Sequence, residues 1–248
     1  ESRAKVMEKY GAEIIRIKGN YDNSLQECKK ISNKNNWVII QDVSWENYVK
    51  VPQLIMAGYT IMIKEIFDQI ENDSITHVFL QAGVGGMAAA MIAGFAKFSK
   101  NVPKFIIVEP ENADCVFKSI ENNKPTRVDI KKETLMGGMS CGDVSTVAWK
   151  ILQNSTNYCL TISDKAISPV VALLAEGHLS DQKIIAGECG VPGIIALISA
   201  FKNKNCLNKL ELNSNSKVLV FGCEGSTDKE MYQKLLNEGL KKIVSQET

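Results

Sequence analysis

The stretch "THVFLQAGVGGMAAAMIAGFAKFSKNVPKFIIVEP", Thr76 to Pro110, decides the fold. "THVFLQ" is a short run of apolar, β-branched and aromatic residues, so it reads as a strand. "GGMAAAMIAGFAKFSK" is too long for a strand and rich in alanine, so it reads as a helix. "KFIIVEP" is a second strand. Two continuously apolar strands joined by a helix form a parallel crossover whose strands are covered on both faces. The fold class that follows is α/β, doubly wound, with a mostly parallel sheet.

Between the first strand and the helix lies "GVGG", Gly83 to Gly86. Glycines there let backbone N–H groups approach a ligand, and the helix adds its positive N-terminal dipole. A phosphate is the natural guest. A Walker loop is excluded because no lysine follows the turn. "GVGGMA", Gly83 to Ala88, satisfies a relaxed dinucleotide fingerprint, and Glu109 lies at a suitable distance to bind a ribose. From the residues alone, a dinucleotide, another phosphate and a turn that binds nothing all stay open.

The alternation continues outward. "SRAKVMEKYG" reads as a helix ended by Gly11, "AEIIRI" as a short strand, "YDNSLQECKKISNKNN" as an amphipathic helix and "WVIIQD" as a strand from Trp37 to Asp42. A long helix, "VPQLIMAGYTIMIKEIFDQIEN", carries Pro52 in its first turn. "ADCVFKSIEN" reads as a helix, "KVLVFG" as a strand and "TDKEMYQKLLNEGLKKIV" as a closing helix. Two irregular segments, "NKPTRVDIKKETLMGGMSCGDVS" and "IAGECGVPG", interrupt the pattern, as segments that line a site often do. The spacing places an internal boundary near Lys50–Pro52.

Composition narrows the function. The 248 residues contain 29 basic and 28 acidic side chains, a net charge of +1, which argues against a nucleic-acid partner. No apolar run reaches the length of a membrane span. Seven scattered cysteines without a C-x-x-C pair suit a reducing, cytoplasmic setting. With only His77 and His178, a histidine-rich metal centre is excluded, no metal is expected, and few bases exist for a serine triad.

Six segments then occur in a telling order: "QDVSWENYVKVPQLIMAGY", "THVFLQAGVGG", "IIVEPENADC", "LMGGMSCG", "IAGECGVPG" and "LVFGCEGSTD". Together they resemble the diaminopropionate ammonia-lyases, members of the fold type II (tryptophan synthase β-like) pyridoxal phosphate (PLP) enzymes. The resemblance runs from about Arg3 to about Tyr232. It implies PLP as cofactor, α,β-elimination of 2,3-diaminopropionate to pyruvate and ammonia, and a homodimer. It implies that Gly83, Val84, Gly85 and Gly86 hold the cofactor phosphate through backbone N–H groups, which weakens the ribose role of Glu109. Cys223 would face the pyridine nitrogen, where relatives often carry Thr, with Thr227 as a nearby substitute. Asp42 would face the substrate amine, with Trp45 and Tyr48 walling the site or packing in the core. Glu188 would lie near the cofactor ring, and Ser140, Cys141 and Gly142 near the substrate carboxylate or the cofactor edge.

The same resemblance places the Schiff-base lysine in an N-terminal segment like "AFKALGG". "AFKNKN" at Ala200–Asn205 and "VFKSI" at Val116–Ile120 stand too late in the chain to be it. The expectation is therefore a C-terminal portion of a larger enzyme, with residues 1–50 a remnant of a small α/β domain and 51–248 part of the large PLP-binding domain. Such a chain, alone, is expected to be inactive. Another fold type II eliminase, such as a serine or threonine dehydratase, and a non-catalytic phosphate- or PLP-binding protein are the alternatives.

Overall fold

The computed structural model describes residues 2–70 and 75–244. In chain order the elements are α1 (Ser2–Lys9), α2 (Tyr21–Asn35), α3 (Lys50–Gln69), β1 (His77–Gln81), α4 (Gly86–Phe98), β2 (Lys104–Pro110) and α5 (Cys115–Glu121). Then come α6 (Thr146–Ser155), β3 (Tyr158–Ile162), α7 (Ile167–Glu176), α8 (Pro192–Lys202), α9 (Lys204–Leu210), β4 (Val218–Val220) and α10 (Lys229–Val244). The expected end of the long helix, Glu71 and Asn72, lies outside the described residues.

The four strands form one parallel sheet in the order β3-β2-β1-β4. Both faces are covered. Val78, Leu80, Phe105 and Ile107 point toward α3, α4 and α6, through Met56, Ile63, Ala88 and Leu152. The alternate residues Phe79, Ile106 and Val108 point toward α7, α8 and α10, through Ile167, Ile195 and Leu235. Burial on both faces is why these strands read as continuous apolar runs.

Two expected strands do not form. Residues 12–17 and 37–42 carry no strand among the described residues. Their apolar pattern is real, but a strand needs a hydrogen-bonded ladder, and neither segment finds one. Trp37, Val38 and Ile40 are left 58%, 81% and 74% exposed. The remaining expected elements are present as β1, β2, β4, α1, α2, α3, α4, α5 and α10.

The sheet order positions the site. From β1 the chain moves through β2 to β3 on one side, while β4 lies on the other side of β1. The loops after β1 and β4 therefore diverge, and a crevice opens at their carboxyl ends. Parallel α/β proteins bind ligands at such switch points.

Candidate active site

β1 ends at Gln81, and four residues later Gly85 turns the chain into α4 with φ +88°, a conformation that disfavours L side chains. No side chain caps α4, so the N–H groups of its first turn are available to an anion. Val84 holds the loop in place: its carbonyl accepts from Ser145 N–H at 2.9 Å, and its side chain packs against Val43 and Cys141. Gly83 lies so close to the turn at Gly137–Met139 that a Cβ there would sit 3.0 Å from the Gly138 carbonyl oxygen.

This loop forms one wall of a cleft of about 230 Å³, which Asp42, Tyr21, Tyr59, Cys141 and Cys223 also line. The volume falls below the roughly 300 Å³ at the small end of typical ligand pockets, so it suits one compact ligand and not a dinucleotide. Asp42, Gly83–Gly86 and Cys223 are thus brought together from three distant segments. Cys141 joins them, but Ser140 and Gly142 turn away: Ser140 donates to Glu133, and the Gly142 carbonyl accepts from Val128 N–H. Burial, aided by the nearby Asp42 charge, pushes the Cys141 thiol up to about 12. Burial likewise raises the Tyr21 phenol, and raises that of Tyr59 with help from Asp42 and Cys223. Among the described residues lining the cleft, none is a lysine.

Glu188 and Thr227 do not line the cleft. Glu188 is turned to Arg3, whose guanidinium donates to it at 2.6 Å and to Glu224 at 2.8 Å. Thr227 donates to the same Glu224 oxygen at 3.4 Å. Trp45 and Tyr48 stand behind Asp42. They stack with centroids 4.1 Å apart, Lys29 lies 3.7 Å over the Trp45 ring, and the Tyr48 hydroxyl donates to the Ile39 carbonyl. Lys202 is exposed at the end of α8, and Lys118 pairs with Glu121 on α5.

Tyr21, Tyr59, Gln81 and Cys189 line the cleft without having been singled out in the sequence. Tyr21 sits at the first turn of a polar helix and Tyr59 midway along α3, where periodicity does not say which rim residue meets a ligand. Gln81 is the polar last residue of an apolar strand, which was the available signal.

Glu109 closes the dinucleotide reading. It is fully buried and accepts from Val116 N–H at 2.8 Å and Phe117 N–H at 2.7 Å, so it caps α5 and faces no ligand. Burial pushes its carboxyl up to about 8, with the two N–H donors opposing. Below its ordinary 4.5 this group's contribution to stability is complete, and it is lost as pH rises to about 8, because the folded state holds the proton longer. Wild-type melting temperature is therefore expected to fall between about pH 6 and pH 8.5 by at least about 3 °C more than that of Glu109→Gln. Equal slopes in thermal melts would refute this.

His77 also has a structural place, with Nε2 2.8 Å from the Leu210 carbonyl oxygen. The described residues contain no group of three metal-ligating side chains, and no described helix is long and apolar enough to cross a membrane.

Taken together, the architecture is that of a doubly wound parallel α/β protein with a compact cleft, walled by a glycine loop and an uncapped helix start, at its switch point. The chain belongs to the pyridoxal-phosphate dependent enzyme family, whose pattern matches residues 1–223. It is 31% identical over 245 residues to diaminopropionate ammonia-lyase of Escherichia coli K12, covering 96% of this chain and 62% of that protein. The Salmonella typhimurium enzyme of the same name is 29% identical, with 96% and 61% covered. The crystal structure of the holo Escherichia coli enzyme superposes with a TM-score of 0.88 at 32% identity, over 96% of this chain and 61% of that one. Serine racemase from Dictyostelium discoideum, at 17% identity and a TM-score of 0.68, shares the fold over 91% of this chain and 65% of its own. The chain thus spans about three fifths of the length of these ammonia-lyases.

The cofactor is pyridoxal 5'-phosphate, and the cleft fits it. An uncapped helix start meets a loop where a Cβ on Gly83 would intrude. Across the cleft, Cys223 is open to solvent and offers a neutral thiol, which burial on its protein side keeps protonated.

Proposed function

We propose that the complete protein is a PLP-dependent ammonia-lyase that eliminates ammonia from 2,3-diaminopropionate, yielding pyruvate and ammonia. The observation that carries this reading is one carboxylate, Asp42, sharing a cleft with the phosphate loop and an uncharged Cys223. A substrate with two amino groups calls for such a carboxylate, and a charge-assisted hydrogen bond would hold it.

Each residue has a part. Gly83, Val84, Gly85 and Gly86 bind the phosphate through their N–H groups. Cys223 donates a weak hydrogen bond to the ring nitrogen without delivering a full charge. Asp42 orients the substrate amine, and Tyr21, Tyr59 and Cys141 keep the cleft narrow and limit water. The bound cofactor supplies an electron sink for charge at the substrate α-carbon. Glu188 and Thr227 act at a distance from the cleft, by holding the loops around Cys189 and Cys223 through Arg3 and Glu224. The lysine that the cofactor's aldehyde requires belongs to polypeptide beyond these 248 residues, and residues 1–50 and 51–248 belong to the small and large domains. The complete protein works as a cytoplasmic homodimer, which sedimentation at working concentration checks.

In the complete protein, Asp42→Asn is expected to raise KM for diaminopropionate at least about tenfold, the loss of one hydrogen bond to a charged group. Pyruvate release, measured against serine and threonine in parallel, checks this. Faster turnover of serine than of diaminopropionate would favour a dehydratase, and no turnover of any amino acid would favour a binding protein.

A further inference from the structure

Gln81 is the last residue of β1 and is only 4% exposed. Its Nε2 reaches three acceptors: the Phe221 carbonyl oxygen at 2.8 Å, the Cys189 carbonyl oxygen at 3.1 Å and the Cys223 sulfur at 3.1 Å. These belong to the two loops that enclose the end of β4. Its Oε1 is buried with no hydrogen-bond partner among the described residues. The orientation is nevertheless forced. A flipped amide would press its oxygen against two carbonyl oxygens, whereas the observed one gives both a donor.

An orphaned buried acceptor is costly and uncommon, so this arrangement is retained against its own expense. What it achieves concerns the thiol. The amide has two N–H groups for three acceptors, so one N–H is shared between a carbonyl oxygen and the Cys223 sulfur, and the S–H is left as the free end of the thiol. Among the described residues, the S–H has one hydrogen-bond acceptor, the Cys189 carbonyl oxygen, at a long 3.6 Å. The same carbonyl is already engaged by Gln81. A ring nitrogen arriving in the cleft would therefore compete against a weak, shared partner.

We infer that Gln81 is a positioning residue: its amide anchors the Cys223 sulfur and frees the S–H to turn toward the ring nitrogen of the cofactor. The inference deepens the proposed function and rests on its assignment of Cys223. N–H donation to sulfur also makes the thiol a better proton donor, opposing the effect of burial on its acidity.

The test follows alkylation of Cys223 by iodoacetamide against pH, resolved by peptide mass spectrometry because Cys28 is exposed too. In Gln81→Met the alkylation rate near pH 8 is expected to fall at least about threefold, with the profile moved to higher pH. Superimposable profiles would overturn the inference. Should Gln81→Met fail to fold, the wild-type chain decides. Its Gln81 side-chain amide protons, read by 15N NMR, should shift when Cys223 is methylthiolated, and unmoved signals would overturn the inference. A separate arm adds PLP. Protection of Cys223 from alkylation supports the cofactor assignment. Lack of protection would refute that assignment while leaving the Gln81 result to stand or fall on its own profile.

Discussion

Gly83→Val is expected to weaken PLP binding by at least about a hundredfold. The cradle depends on backbone N–H groups coming close to a phosphate, and each hydrogen bond to a charged group contributes about 1.5–3 kcal/mol. Losing two of them exceeds the roughly 2.8 kcal/mol that a hundredfold requires. The geometry offers no escape. Even a Cβ at position 83 would lie 3.0 Å from the Gly138 oxygen, 3.1 Å from the Cys141 sulfur and 3.2 Å from the Met139 Cα. Two of these are backbone atoms of a packed turn, so a branched side chain must displace either the turn or the ligand. Calorimetric titration of the purified chain checks this, with circular dichroism to show that the fold persists. An unchanged Kd would mean that the phosphate lies elsewhere.

Gly239→Ala is expected to have the largest effect on stability. α10 packs on α7 at Gly239, where an added Cβ would lie 1.9 Å from the Ser168 carbonyl oxygen and 2.7 Å from the Ala172 Cβ. Alanine favours a helix by about 1 kcal/mol over glycine, but overpacking against backbone costs about 1–3 kcal/mol or more. Here the obstruction is a carbonyl that cannot rotate away, so the upper figure applies and steric cost wins. A net loss of about 2 kcal/mol corresponds to a melting temperature lower by about 4–8 °C for a chain of this size. The interface would also lose the contact of Lys242 Nζ with Ser168 Oγ at 3.0 Å. A melting temperature equal to wild type would show that α7 and α10 sit further apart.

The central fold was legible because physics acts locally there. β1 and β2 are buried on both faces, so their apolar runs are continuous, and the helix between them is too long to be a strand. The glycine turn into α4 was legible because glycine suits position 85, where φ is +88°. Elsewhere local pattern and tertiary context part company. Residues 12–17 and 37–42 look like strands, yet a strand exists only with a partner, and Val38 and Ile40 lie exposed instead. Residues 146–176 carry α6, β3 and α7, to which the sequence pattern assigned no element. "SPVVALLAE" in α7 is apolar even at its half-buried outer positions Pro169, Leu173 and Ala175, so apolar residues there do not mark the buried face.

The site divides the same way. Asp42, Cys141 and Cys223 stand in segments whose order resembles a known family, and all three line the cleft. Glu188 stands in such a segment as well, but its side chain turns to Arg3, 185 positions away in sequence. Pairings over that distance leave no trace in spacing or periodicity. Tyr21 and Gln81 enter the site for the same kind of reason. Tyr21 reaches it because α2 is carried there by Val43 and Val84, and Gln81 because β1 ends between β2 and β4.

The cofactor's phosphate is expected at the Gly83–Gly86 loop. Phosphorus-31 NMR of PLP titrated with the purified chain tests this most directly. The expected result is a saturable shift of the phosphate resonance that excess inorganic phosphate reverses, with no lysine labelled to stoichiometry when the saturated sample is reduced with borohydride. An unshifted resonance at saturating protein, or a shift that survives excess phosphate while one lysine becomes fully labelled, would contradict it.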